Sequence, residues 1–261
     1  MSTLQLTNPH AVLAALESRP EDVLAVRLPE QGAGPAWQTV ADRAQAAGIR
    51  LRRTRGDGDG GRPRDAGRRG GGRRGGGPAK TGREGGASAE VRERPAVTLD
   101  ELFAGAKQRE DGRGLWLAVD QVQDPRNLGA IFRSASFFGV AGVLLTRDQS
   151  APLTAVSYDT ASGGLESVPY AWAANLSRDL GEARDAGLWI LGAAGEADTD
   201  VGAVPRDRPW LLVVGNEEKG LRRLTRESCD QLCRLTPRGA VDSLNVSVAS
   251  AVLMAELRRP L

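Results

Sequence analysis

A series of short apolar runs, each followed by a helical pattern, restricts the fold more than any other feature of the chain. The runs are Leu115-Trp-Leu-Ala-Val, Val143-Leu-Leu, Tyr170 to Ala173, Leu188-Trp-Ile-Leu-Gly, Trp210-Leu-Leu-Val-Val-Gly and the brief Leu232 to Leu235. Runs apolar at successive positions suit strands buried on both faces. Between them lie helical patterns over Asn127–Phe138, Ala151–Ala161 and Leu176–Ala186, with a shorter one at Leu99–Lys107. Strands that alternate with helices predict an α/β fold, a mostly parallel sheet flanked by helices, over residues 97–261.

The N-terminal part reads as a separate small α/β domain, residues 1–51. Asn8 caps and Pro9 opens a helix through His10-Ala-Val-Leu-Ala-Ala-Leu-Glu. Leu24-Ala-Val-Arg-Leu alternates as a strand does. Trp37 to Ala47 is a second helix, ended by Gly48, and Ile49-Arg-Leu starts another strand. Residues 52–86 then lose all apolar period and become Gly and Arg (GRRGGGRRGGG), a composition expected to stay disordered. The small domain resumes with a strand near 87–92 and is completed by residues 87–94.

Charge is concentrated in that tract. It holds eleven Lys/Arg against four Asp/Glu, a surplus of seven, whereas the whole chain has a surplus of two, which leaves a deficit of five elsewhere. A basic arm suits an acidic polymer and can contact RNA phosphates; a solvated low-complexity insertion has the same composition. No apolar run is long enough to cross a bilayer, and the N-terminus lacks the basic start and apolar core of a secretory signal. The only cysteines, Cys229 and Cys233, fit a reducing cytoplasm. With one distant histidine, His10, they make no metal site, and none is expected.

Three segments share one form, in which a strand ends, a polar or Gly-rich turn follows and a helix begins. They are Asp120-Gln-Val-Gln-Asp-Pro-Arg-Asn-Leu-Gly-Ala-Ile-Phe-Arg, Gly215-Asn-Glu-Glu-Lys-Gly-Leu and Leu235 to Leu257. Ligands of parallel sheets sit beyond the carboxyl ends of the strands, where all three turns lie. In the last segment Ser243 and Asn245 stand at the mouth of an apolar helix, where they can cap it or grip a small polar ligand. Arg133, among small residues, can clamp a phosphate or form an ion pair between helices. It shares a face with Asn127 only if Asn127 sits in the turn before the helix. Glu217 can orient a polar ligand or complement a helix dipole. No G-x-G-x-x-G follows the first strand, which disfavours an ordinary dinucleotide fold.

Together these residues resemble the SpoU (TrmH-like) group of the SPOUT RNA methyltransferases. The resemblance rests on Asn127/Gly129/Arg133, on Gly215/Glu217/Gly220 and on the run Pro237/Gly239/Ser243/Leu244/Asn245/Val246/Ser247/Val248/Ala249. It covers the chain from about Leu115 onward. Pro9-His-Ala-Val-Leu-Ala-Ala-Leu is similar to the start of the group's small substrate-binding domain, with Asn8 in place of its usual Gly. Leu221-Arg-Arg-Leu-Thr-Arg-Glu-Ser-Cys-Asp is similar to the RlmB-like branch, which acts on ribosomal RNA guanosine. The Gly/Arg insertion departs from the group's pattern.

The resemblance implies a SPOUT fold with a C-terminal deep trefoil knot, S-adenosylmethionine as cofactor and a homodimer. It implies 2′-O-ribose methylation of large-subunit ribosomal RNA in the cytoplasm. The catalytic residues would be Arg133, Asn127, Glu217, Ser243 and Asn245. Backbone near Gly215, Leu235 and Leu244, with Gly195 in the adjoining loop, would hold the cofactor. A free Arg is a very weak base, so Arg133 reads better as a clamp on the target phosphate. Transfer-RNA ribose methylation, or a knotted RNA-binding assembly factor without catalysis, are the competing expectations.

Overall fold

The computed structural model describes residues 2–30, 32–54, 86–216 and 219–260. Its N-terminal sheet has four strands: β1 (Thr3–Leu6), β2 (Val23–Pro29), β3 (Arg50–Thr54) and β4 (Ser88–Arg92). The order is β1-β4-β2-β3, with β4 antiparallel to both neighbours and β2 parallel to β3. The strand after the Gly/Arg tract therefore fills the middle of the sheet. Helix α1 (Pro9–Ser18) starts at Pro9, and the Asn8 side chain accepts from the His10 N–H. Helix α2 (Pro35–Ala46) is followed by Gly48 at φ +70°.

Two expectations need correction here. Strand β1 has no counterpart in the sequence reading, because four residues of Thr-Leu-Gln-Leu are too short a pattern to stand out. Disorder is expected from residue 52, yet Arg52, Arg53 and Thr54 continue β3, paired with Arg27, Leu28 and Pro29. Residues 55–85, where the rest of that expectation falls, lie outside the described residues.

The larger sheet contains β5 (Leu115–Val119), β6 (Val143–Thr146), β7 (Tyr170–Ala173), β8 (Trp189–Ala193), β9 (Trp210–Val214) and β10 (Gln231–Cys233). Its order is β10-β8-β9-β5-β6-β7, and every neighbouring pair is parallel. Strand residues alternate between two buried layers. Leu115, Leu117, Val119, Leu212 and Val214 face α4 (Pro125–Phe137), α5 (Ala155–Ala161), α6 (Gly164–Ser167) and α9 (Val246–Leu257). Trp116, Ala118, Ile190, Leu211 and Val213 face α3 (Leu99–Phe103) and α7 (Leu176–Asp185). A further short helix, α8 (Arg223–Glu227), precedes β10.

Several helix boundaries differ from the sequence reading for local reasons, and α2 begins at Pro35 in place of the expected Trp37 because proline takes the first helical position. α3 ends before Lys107, and Gly105 follows at φ +68°. α4 begins two residues early, because Asp124 accepts from the Arg126 N–H and Pro125 takes the first helical position. α5 begins after Thr154 instead of at Ala151, whose N–H is engaged by the Val122 carbonyl.

The N-terminal sheet packs through α1 and β1 onto α5 and α6. Arg19, 7% exposed, donates from Nε and Nη2 to the two carboxylate oxygens of Glu166, each at 2.7 Å, and from Nη1 to the Arg92 carbonyl. Asp159 accepts from the Thr7 and Asn8 N–H groups, and Asn8 Nδ2 donates to the Asp159 carbonyl. Among the described residues no helix is long and apolar enough to cross a membrane, and no group of three or more His, Cys, Asp or Glu is placed to hold a metal.

Candidate active site

A cavity of about 420 Å³ opens beyond the carboxyl ends of β8 and β10. Its floor is Ala193, Ala194 and Gly195 as they leave β8, and Cys233, Arg234 and Leu235 as they leave β10. Ser243 and Leu244 close it from the loop before α9, and Leu253 on that helix backs it. The volume falls in the range of small-molecule sites, largely apolar with a few polar groups. A Cβ at Gly195 would meet nothing within 4 Å, so that wall is open.

Two ties fix the loops around it. Arg234 lies against the Thr199–Val201 segment, donating to the Thr199 carbonyl at 2.9 Å and accepting from the Val201 N–H at 2.9 Å. Thr236 Oγ1 donates to the Asp200 carboxylate, and that bond, followed by the Gly202 N–H, holds Asp200 below its usual pKa. The buried Cys233 thiol in the wall is pushed up to about 12, first by burial and then by the nearby Asp200 charge. It is a neutral, apolar lining group and no nucleophile.

Asn245 connects this cavity to a second one. Its Oδ1 accepts from the Ser247 N–H at 2.9 Å and caps α9, while its Nδ2 donates to Asn127 Oδ1 at 3.1 Å. Asn127, in the first turn of α4, lines an adjoining polar cavity of about 570 Å³ with Gln121, Gln149, Asn216 and Lys219. Gln121 and Gln149 both have left-handed backbones, at φ +61° and +55°. Such conformations cost about 1–3 kcal/mol each and gather at functional sites. Gln121 is held there: its N–H donates to Thr146 Oγ1 and its carbonyl accepts from Asn216 Nδ2, each at 2.9 Å.

The sequence-chosen residues thus fall into groups. Gly195, Leu235, Ser243 and Leu244 share the first cavity, and Asn245 bridges to Asn127. Gly215 does not line that cavity. It begins a tight turn in which Asn216 and Gly220 exchange N–H···O bonds, and a Cβ on it would sit 2.3 Å from the Gly220 carbonyl carbon. Arg133 lines neither cavity. It lies exposed on α4, away from Asn127, and makes no hydrogen bond or ion pair among the described residues. Because Asn127 is inside the helix, the shared face that a preceding turn would have allowed is lost. Glu217 lies outside the described residues. The sequence reading does not pick out Cys233, Thr236, Gln121 or Asn216. All four flank the same turns, and only the cross-chain bonds distinguish them from ordinary loop residues.

Fold and cavity together define a parallel α/β protein with a cavity of small-molecule size beyond the carboxyl ends of its strands. Residues 114–255 match the SpoU rRNA Methylase family, and the chain belongs to that family. The chain is 45% identical to the 23S rRNA (guanosine-2'-O-)-methyltransferase RlmB of Pseudomonas aeruginosa over 161 residues, which are 62% of this chain and 63% of that protein. The matched stretch is thus less than two thirds of that relative. It is also 36% identical to the RlmB of Bordetella pertussis over 256 residues, 98% of this chain and 96% of that one. Among solved structures, the SpoU methyltransferase AviRb from Streptomyces viridochromogenes in complex with AdoMet shares the fold, with a TM-score of 0.73, 21% identity, and coverage of 98% of this chain and 89% of that one.

Proposed function

We propose that the chain is an S-adenosylmethionine-dependent methyltransferase that acts on the ribose 2′-hydroxyl of a guanosine in 23S ribosomal RNA. One observation carries the reading: Ser243 and Leu244 wall the 420 Å³ cavity while the next residue, Asn245, bonds across to Asn127. Motif residues more than a hundred positions apart therefore meet at one place. The activity for which the Pseudomonas and Bordetella relatives are named supplies the substrate class.

Backbone at 193–195, 234–238 and 243–244, with the apolar sides of Leu235, Leu244 and Leu253, would hold the cofactor. When bound, S-adenosylmethionine supplies an electrophilic methyl group for the ribose oxygen. Asn127 and Asn245 orient the ribose side of the site, with Ser243 and Glu217 assigned to it by their motifs. A guanidinium cannot serve as base at neutral pH, so Arg133 clamps the target phosphate, and a phosphate oxygen takes the hydroxyl proton.

Arg133 is outside the cavity of its own chain, which supports a homodimer in which it serves the cavity of a second copy. Phe137, 82% exposed one turn beyond Arg133, and Val248 and Val252 on the adjacent α9 form the apolar face for that contact. The reading that the C-terminal segment is knotted through the loop 194–209 rests on Arg234 lying against Thr199 and Val201, and on α9 packing against both residues 201–203 and α4. We assign residues 1–51 with 87–94 to RNA recognition and 97–261 to catalysis. The two unpaired thiols, Cys229 and Cys233, suit the cytoplasm.

The test is methyl transfer from labelled S-adenosylmethionine to 23S ribosomal RNA and to transfer-RNA transcripts, followed by mapping of ribose methylation. A single methylated guanosine in 23S RNA is expected. Label confined to transfer RNA would reassign the substrate, and no label in either would remove the catalytic reading.

A further inference from the structure

Three arginines, Arg147, Arg222 and Arg223, border another polar cavity of about 460 Å³ at the carboxyl ends of β6 and β7. We infer that this cavity is a second RNA-backbone site, which holds a phosphodiester of the substrate strand away from the methylated ribose. The inference rests on the RNA methyltransferase reading above.

The charges that line the cavity are Arg147, Asp148, Arg222 and Arg223, three positive and one negative. Arg222 is oriented from below. Its Nε donates to Asp120 Oδ2 at 3.1 Å and its Nη2 lies 2.8 Å from Oδ1, while Thr225 Oγ1 donates to Oδ2 at 2.9 Å. Asp120 is 1% exposed, at the end of β5, so it fixes one edge of the guanidinium. Nη1 makes no bond among the described residues, which leaves that edge for a ligand, and a pre-set fork suits a phosphate. Arg147 sits 5.3 Å over the Trp172 ring and has no acidic partner among the described residues. Arg223 pairs with Glu227 at 2.7 Å, but both are exposed, and such a pair is worth little against a phosphate.

The N-terminus of α7 also opens here, yet it is not the anion site. Asn175 Oδ1 accepts from the Arg178 N–H, and Asp179 Oδ2 accepts from the Asn175 N–H. The guanidinium groups therefore carry the affinity. A chain of hydrogen bonds links this cavity to the candidate active site: Thr146 in its wall bonds Gln121, which lines the next cavity with Asn127, and Asn127 bonds Asn245. A strand laid along that path meets the cofactor cavity at one end and the arginines at the other.

The test compares the full chain with its Arg147→Ala/Arg223→Ala and Arg147→Lys/Arg223→Lys variants, both at exposed positions. KM for 23S RNA should rise roughly tenfold in the alanine variant, with kcat and the S-adenosylmethionine Kd unchanged. The slope of log affinity against log salt should fall by about 0.7 for each single-strand phosphate that is no longer neutralised. The lysine variant keeps the charges and should recover most of the affinity. Unchanged KM and salt slope in the alanine variant would overturn the site, as would a lysine variant as weak as the alanine one. Competition by inorganic phosphate that abolishes the difference between wild type and variant, without a change of salt slope, would show a free-anion site and overturn the strand assignment. A wild-type chain that binds RNA with the expected slope but methylates nothing would sink the enzymatic reading and leave the groove standing.

Discussion

Asn245 caps helix α9 with one end of its amide and reaches Asn127 with the other, 3.1 Å away on α4. The two jobs use different atoms, so they can be separated. Asn245→Asp keeps an oxygen for the Ser247 N–H, and a carboxylate at a helix start is favoured by the dipole. It loses the donor to Asn127. Thermal stability should stay within about 1 kcal/mol of wild type, while methyl transfer falls by an order of magnitude or more. Asn245→Ala loses both and should cost about 1 kcal/mol as well. Equal activity in the aspartate variant and wild type would show that the Asn127 contact has no part in the reaction.

Arg133 has no hydrogen-bond or ion-pair partner among the described residues, so its replacement should leave folding alone. Arg133→Ala should change unfolding free energy by less than about 0.5 kcal/mol. Activity should drop about a hundredfold or more, as when one charged donor is taken from a reacting group. Mixed dimers discriminate further. An inactive Arg133→Ala chain combined with an inactive Ser243→Ala chain should regain activity only if Arg133 works across the interface. Urea denaturation and steady-state rates on the mixtures decide it.

Much of this architecture is legible in the sequence because strong local signals agree with the tertiary outcome. The apolar runs from Leu115 to Val214 are buried on both faces except at the exposed Trp189 and the half-buried Trp172, and each becomes a parallel strand. Asn8-Pro9 marks the start of α1. What the sequence conceals is weaker in the chain. Asp124-Pro125 is as good a start signal as Asn8-Pro9, but a helix begun at Asn127 leaves it unused, and the expected geometry of Asn127 and Arg133 shifts with it. The site is half legible. The rule that ligands sit past strand ends points to Ser243 and Asn245 in the stretch after β10, and Gly195, Leu235 and Leu244 come only from the family resemblance, whereas Gln121, Asn216 and Thr236 are tied to partners distant in sequence that no local pattern reveals.

The motif glycines divide by what surrounds them. A Cβ on Gly129 would stand 2.5 Å from the Ser157 carbonyl oxygen and 2.6 Å from Thr160 Cβ, so Gly129 is there to let α4 and α5 touch. Gly129→Ala should destabilise the fold by about 1–3 kcal/mol through overpacking. Gly195→Ala meets open space and should leave stability within about 0.5 kcal/mol, but it narrows the 420 Å³ cavity and should weaken cofactor binding. Denaturation and calorimetric titration of the two variants should give opposite patterns.

Glu166 neutralises a guanidinium that is almost out of water. Burial works against charging Arg19, yet the bonds from Glu166 and then Asp22 hold its pKa above the ordinary value, so the guanidinium stays charged. Glu166→Ala would leave Arg19 buried without its main counter-charge, which costs about 3–5 kcal/mol. Glu166→Gln keeps an acceptor and should cost less. Because the pair joins α1 to α6, proteolysis should release the N-terminal sheet first in the alanine variant. A loss below about 1 kcal/mol would show that water reaches the pair.

Cys229 and Cys233 report on the same packing through their protons. Burial, helped by Asp230 for Cys229 and Asp200 for Cys233, pushes each thiol up to about 12. A raised acid pKa means the neutral thiol is what the fold accommodates. Its contribution is complete below the ordinary thiol value and is lost as pH rises from there toward about 12. Between pH 7 and 9 the folded chain should therefore resist iodoacetamide at both positions, and the unfolded chain should react at the rate of free thiols. Cys233, fully buried in the cavity wall, should be the slower of the two. Mass spectrometry after timed labelling at pH 8 measures this directly. Rapid modification of native Cys233 would mean that the wall between β10 and the loop before α9 opens far more often than its bonds to Thr199, Asp200 and Val201 allow.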